Sequence, residues 1–399
     1  MSTWVINRVL GVLLLAGLAA ALGLAFLTHA PNRLVAGTTI SLAQIVGEMG
    51  GFSAAQSLPL LLTLLPALLL VAGVFMRSTR ATHALVGVAA TLLLTGLVGL
   101  AASHANRLAG AAGASSIART SLGGAFWLLT ALTWLVAADA IARLGLRPAW
   151  RLLASAAVTL PALALLAAGS LNELSLLKEY ANREAVFNAA LLQHLQIVLA
   201  SLLPALLMGV PLGMASIRPW GRSLRGPLFA SLNIIQTVPS IALFGLLMAP
   251  LALLSASVPL LAQWGIKGVG LAPAVIALTL YSLLPIVRST AAGLGQVPQP
   301  VIDAALGMGL TGRQIFWKVE LPLALPIFLA GLRVATVQVI GLAMVAALIG
   351  AGGFGAIMFQ GLLSGALDLV LLGVVPVVAI AVTVDALLKA LALLLTPEV

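Results

Sequence analysis

The chain has 399 residues, of which 62% are hydrophobic and only 8% are Asp, Glu, Lys or Arg, against roughly a quarter charged in an ordinary soluble domain. Its 20 basic and 10 acidic side chains cannot clothe the two or three soluble domains that this length would otherwise suggest, so the chain reads as an integral membrane protein. Cysteine is absent and the four histidines are scattered, which excludes disulfides, thiolate metal sites and cysteine nucleophiles and leaves no expected metal site.

A membrane span needs about 20 apolar residues, and ten candidates follow in chain order: Val9–Leu27, Leu58–Met76, Thr82–Ala101, Leu122–Ile141, Leu152–Gly169, Leu195–Met214, Leu228–Leu251, Leu271–Val287, Leu323–Ile349 and Leu369–Leu395. The alternation of a membrane barrel is missing, so the expected fold is all-α, with about ten transmembrane helices. The first apolar run lacks a convincing cleavage pattern and reads as a retained helix rather than a signal peptide.

With the N-terminus placed inside, Arg8, Arg77, Arg80, Arg143, Arg147, Arg151, Arg218, Arg222, Arg225, Arg288, Arg313, Lys318 and Lys389 fall in inner segments. Arg33, Arg107, Arg119, Lys178, Arg183 and Lys267 fall in outer ones, and Arg333 lies within a span. Basic residues accumulate on the cytoplasmic side, so both termini are expected inside, and most of the net charge of +10 is explained with no nucleic acid partner. Trp4, Trp150, Trp220, Trp264 and Trp317 lie near span ends, where the amphipathic indole prefers to sit.

Spans one to five (residues 1–170) are rich in Leu, Ala and Gly and carry little chemistry. Residues 171–193, with Glu173, Lys178, Glu179, Arg183 and Glu184, read as an extracytoplasmic linking segment, amphipathic or helical. Residues 194–399 carry nearly every distinctive feature. Their longest inner connection is Arg288–Pro322, where Pro298 and Pro300 stop any helix before Val301. From there Val301, Ala305, Met308 and Leu310, then Ile315, Phe316 and Val319 beyond a break at Thr311-Gly312, make two short amphipathic helices. Apolar residues exposed below the bilayer call for a cytoplasmic partner that receives a helix in a groove.

This loop, residues 299–322, resembles the Glu-Ala-Ala motif of ATP-binding-cassette (ABC) importer permeases. Asp303-Ala304-Ala305 takes the first place, Gly309 the glycine, Val319 the isoleucine and Leu321-Pro322 the close; Asp for Glu and Val for Ile are the two departures. Gln236-Thr237-Val238-Pro239-Ser240, the stretch Tyr281–Arg288, and Ala347–Gly355 with Asp368 downstream are similar to segments of permeases for quaternary-ammonium osmoprotectants. The five extra spans resemble the long-form osmoprotectant permeases of the YehY type. The resemblance implies a C-terminal five-helix type I permease core and cargo such as glycine betaine or choline. It implies cytoplasmic ABC ATPase subunits that carry the ATP and magnesium, and a second permease copy or shorter relative. A periplasmic substrate-binding protein and a bacterial inner-membrane location complete it. The chain itself is then no enzyme and binds no cofactor.

The remaining residues agree with that picture or leave it open. No phosphate loop of the G-x-x-x-x-G-K-[ST] type occurs. Gly350, Gly352 and Gly355 match a dinucleotide spacing, but no strand precedes them; with Gly353 they read better as a close helix approach or a bent, gate-like chain. Gln236, Thr237, Pro239 and Ser240 either line a translocation pathway, together with Tyr281, or make hydrogen bonds between helices. Arg333 either faces that pathway, snorkels to the inner surface or binds backbone carbonyls. Asp139 with Arg143, and Asp385 with Lys389, read as local pairs four residues apart. A secondary, ion-coupled transporter is the rival reading, weakened because spans six to nine hold no midspan carboxylate.

Overall fold

The computed structural model describes residues 7–32, 37–48, 54–113, 117–263 and 265–395; Trp4, Arg33 and Trp264 lie outside them. The chain divides into two compact units, Met1–Asn182 and Arg183–Val399. Among the described residues, nine helices are long and apolar enough to cross a membrane, and Arg8–Gly23 is a shorter apolar helix.

The first unit contains α1 (Arg8–Gly23), α2 (Leu42–Gly47), α3 (Ala54–Phe75), α4 (Arg80–Ala112), α5 (Gly124–Arg143), α6 (Pro148–Ala167) and α7 (Ser175–Asn182). Three short strands, β1 (Leu27–Ala30), β2 (Thr38–Ile40) and β3 (Arg119–Leu122), form an antiparallel sheet in the order β2-β1-β3. The expectation of purely helical structure missed this sheet because strands of three or four residues are too short to show an alternating pattern. The same end of the unit is tied by polar contacts: His29 Nδ1 lies 3.0 Å from Thr120 Oγ1, Arg107 pairs with Glu48, and Lys178 Nζ lies 2.7 Å from Glu173. Arg107 holds the exposed Glu48 carboxyl below its ordinary range, chiefly through that hydrogen bond. Glycines set the close crossings. A Cβ at Gly96 would fall 2.4 Å from the Leu62 carbonyl oxygen, so only glycine lets α4 approach α3 here.

The second unit contains α8 (Glu184–Ile217), a 3-10 turn (Pro219–Leu224), α9 (Arg225–Thr237), α10 (Ser240–Ser257), α11 (Pro259–Gln263), α12 (Leu271–Gly295), α13 (Gln299–Gly307), α14 (Gly312–Ile315), α15 (Leu321–Val345), α16 (Phe354–Leu363) and α17 (Leu367–Leu395). At its centre stands α12, with sixteen buried residues. It packs on α8 through Gly209 and Gly213, whose absent side chains would collide with Ile286 and Thr290, and on α15 through Gly331, which would collide with Ser289. Such small residues let helices approach where lipid supplies no hydrophobic drive.

Several expected boundaries move. Residues 171–193 are not one linking helix: α7 ends at Asn182 and α8 begins at Glu184, eleven residues before the expected span. The seventh span is two helices, α9 and α10, parted at Val238-Pro239, because proline lacks the N–H that a continuous helix requires. The second amphipathic helix of the inner loop is not separate either; from Gly312 the chain runs through a π-helical turn, Phe316–Glu320, into α15.

Candidate functional site

Two proline breaks face each other across α9, α10 and α12. Pro285 has no N–H to offer the Tyr281 carbonyl four residues back, and the Gln236 side-chain amide donates to that carbonyl instead. On the other side, Val238 is extended, with φ −69° and ψ 129°, so its carbonyl leaves the helical path. The Tyr281 hydroxyl donates to it. Gln338 of α15 approaches Gln236 Oε1 at 3.4 Å, bringing a fourth helix to the break. One turn below, Arg288 donates to Asn233 Oδ1 at 3.2 Å. Irregular backbone at membrane depth persists only where protein or a wet cavity satisfies it, and here side chains of Gln236 and Tyr281 do so.

Of the residues singled out in this segment, Gln236 and Tyr281 are thus brought together. Thr237 is exposed, and its hydroxyl donates within its own helix to the Ile234 carbonyl at 2.7 Å. Pro239 caps α10 and Ser240 begins it. Arg333 pairs with Asp385 of α17, Nε to Oδ1 at 2.9 Å, and the same carboxylate holds Lys389 at 2.6 Å. A charge placed in a span is costly unless paired, and a partner fifty-two residues along the chain supplies the pairing.

Beyond α15, Gly350, Gly352 and Gly353 all take positive φ, at 80°, 82° and 75°, a region that side chains disfavour. Gln193 of α8 accepts the Gly353 N–H at 3.0 Å, and a Cβ at Gly352 would lie 2.3 Å from that same oxygen. At Gly355 a Cβ would meet the Met344 carbonyl oxygen at 2.0 Å. These four glycines form a tight reversal between α15 and α16, lined by His194 and Phe354, both fully buried. The dinucleotide reading finds no support: among the described residues of the second unit no strand precedes these glycines, which follow α15 directly.

The loop 299–322 builds a rigid exposed corner. Helix α13 closes in a Schellman turn: Leu310 N–H donates to Ala305 and Gly309 N–H to Leu306, with Gly309 at φ 78°. Thr311 and Gln314 then form a capping box that starts α14. The turn therefore pivots on Gly309, two residues before the break expected at Thr311-Gly312, because only glycine takes the left-handed position cheaply. Asp303 and Ala304 are exposed, with Gln299 hydrogen-bonded to Asp303 at 2.9 Å, whereas Ala305 is buried. Val319, Leu321 and Pro322 are half-buried at the root of α15. Outward stand Val301, Leu306, Met308 and Trp317, the last two 74% and 59% exposed. The corner is anchored by Glu320, only 8% exposed, which takes two hydrogen bonds from Arg218 at the end of α8.

Sequence reasoning missed the anchor Arg218–Glu320, the Gln193 contact and Gln338. The last was legible as a polar residue within an apolar span; the other two depend on contacts more than a hundred residues apart.

The second unit is thus a helical membrane core with an exposed apolar helix-turn-helix corner and a proline-broken polar crossing within its spans, the build of a multi-pass membrane permease. Residues 7–177 match the model of the N-terminal domain of the ABC transporter permease YehY. Residues 205–397 match that of the binding-protein-dependent transport system inner membrane component. The chain is 38% identical over 207 residues to the osmoprotectant import permease protein OsmW of Salmonella typhimurium, covering 52% of this chain and 90% of that one. It is 36% identical over 206 residues to the glycine betaine/carnitine/choline transport system permease protein OpuCB of Bacillus subtilis, covering 52% and 87%. A chain of the MetNI methionine ABC transporter aligns over 51% of this chain and 94% of its own, with 24% identity and a TM-score of 0.43. This chain belongs to the binding-protein-dependent ABC importer permeases, as a multi-pass membrane subunit with a YehY-type N-terminal domain.

Proposed function

We propose that the chain conducts glycine betaine or a related quaternary-ammonium osmoprotectant across the inner membrane, driven by ATP that separate subunits bind with magnesium and hydrolyse. The observation that carries this reading is the exposed corner at Gly309. Val301, Leu306, Met308 and Trp317 form an apolar surface on a stiff turn, suited to docking in a groove of a cytoplasmic ATPase. Closure of two ATPases would draw the corners of two permease copies, or of this chain and a shorter relative, together. Through the Arg218–Glu320 anchor and α15 that motion would reach the helices and switch the passage between inward- and outward-facing. Both termini then lie in the cytoplasm.

The cargo class rests on the names of the relatives. The residues add a constraint. A quaternary ammonium is held tightly by an aromatic cage, yet the unit's one tyrosine, Tyr281, is buried and its hydroxyl is engaged with Val238. Tight recognition then belongs to a periplasmic binding protein. The passage itself, with Gln236, Thr237, Pro239, Ser240 and Tyr281 on or behind its wall and Arg333 toward one end, would bind weakly. The glycine reversal at 350–355 would serve as its gate.

The test is co-purification with the ATPase, followed by measurement of ATP hydrolysis in lipid with and without loaded binding protein. Gly309→Arg should insert in the membrane normally and lose ATPase association. Solute uptake on an ion gradient alone, without an ATPase, would overturn the proposal.

A further inference from the structure

Within the first unit, α1, α3 and α5 enclose a cavity of about 810 Å³. It runs from Arg8 to Ala21 along α1, a rise of about 20 Å at 1.5 Å per residue. Among the described residues its polar wall side chains are Arg8, Thr63 and Thr133, and Thr63 is already spent on the Pro59 carbonyl at 2.8 Å. A site for a polar small molecule would need convergent polar groups to orient it; this wall offers hydrocarbon. Leu70 and Leu97 floor it deep among the helices, 1% and 2% exposed, while Val12, Leu15 and Val71 open it sideways at 49–68% exposure. Small residues in spans normally bring backbones together. Gly17 does not: a Cβ there would meet only the Leu129 and Leu132 side chains, at 3.6 and 3.9 Å.

The charge around one end is one-sided. The N-terminus of α1 meets the C-terminus of α3, where Asn7 N–H donates to the Val74 carbonyl at 3.1 Å, and α4 begins five residues after α3 ends. Near its start α4 packs on the last turn of α5, Gly87 beside Ala140. These ends and the start of α6 carry Arg8, Arg77, Arg80, Arg143, Arg147 and Arg151 against the single acid Asp139. Asp139 is taken by Arg143 at 2.7 Å.

We infer that the first unit is a lipid-binding domain: it holds one anionic phospholipid, an acyl chain in the slot between α1, α3 and α5 and the phosphate beside Arg8. One leaflet's hydrocarbon is about 15 Å deep, which the slot accommodates. Basic side chains at a membrane surface attract anionic head groups. This site is independent of the transport reading.

The full-length chain, stripped in detergent, would be titrated with phosphatidylglycerol, phosphatidylcholine or palmitate and observed by native mass spectrometry. One phosphatidylglycerol per chain is expected to persist, in preference to phosphatidylcholine. Val71→Trp, at the open rim, should lower that occupancy at least fivefold. Arg8→Gln should keep lipid but lower the preference for phosphatidylglycerol over phosphatidylcholine about fivefold, the effect of one basic residue at a membrane surface. Circular dichroism and gel filtration establish folding; should Val71→Trp misfold, Ala67→Leu on the same wall is read in its place. Undiminished occupancy in the filled variants, equal binding of the two phospholipids by the wild type, or binding of palmitate alone would overturn the inference.

Discussion

The crossing of Gln236 and Pro285 yields a quantitative prediction. Tyr281 is 4% exposed, and its carbonyl lacks a helical donor because residue 285 is proline. Gln236→Leu keeps the bulk but removes the donor that replaces it. A buried acceptor left unsatisfied costs about 1–3 kcal/mol, so the variant should be destabilised by that amount. Pro285→Ala restores an N–H four residues after Tyr281. In that background Gln236→Leu should cost less than about 1 kcal/mol, giving a coupling free energy on the order of 1–2 kcal/mol in a double-mutant cycle. Denaturant unfolding of the four proteins in detergent, followed by tryptophan fluorescence, measures it. An equal penalty for Gln236→Leu in both backgrounds would refute the compensation argument.

Arg218→Ala should destabilise the second unit more than Glu320→Ala, by about 1–2 kcal/mol in the same unfolding assay. It strands a carboxylate that is 8% exposed, whereas Arg218, 35% exposed, still reaches water when Glu320 is lost. Gly355→Ala, whose Cβ meets a carbonyl oxygen at 2.0 Å, should cost about 3 kcal/mol or more. Gly350→Ala, strained by its φ but in open space, should cost only about 1–2 kcal/mol; thermal stability in detergent ranks the two. Because Arg107 lowers the folded-state pKa of Glu48, that contact contributes above the ordinary carboxylate range and is lost as pH falls through the lowered value. Glu48→Gln should therefore flatten the acid limb of the pH–stability profile, measured by unfolding at stepped pH.

Composition and the spacing of apolar runs were enough to establish from sequence a helical membrane protein with a distinctive second half, because a bilayer accepts few structures and each span must satisfy its own backbone. The loop around Gly309 was legible in part: its prolines and apolar spacing act over a few residues, but the break expected at Thr311-Gly312 pivots on Gly309, and the second short helix runs on into α15. Strand pairing at Leu27, Thr38 and Arg119 was not legible, since strands of three or four residues show no alternation and β3 joins β1 across some ninety residues. The polar residues of span seven were visible as anomalies, but the sequence left open whether they served a passage or a helix contact. Tertiary structure decided that Gln236 and Tyr281 mend each other's proline breaks, that Arg333 answers Asp385, and that Glu320 is held by Arg218. Such pairings depend on which helix faces meet, and local sequence carries the orphaned group without naming the distant side chain that satisfies it.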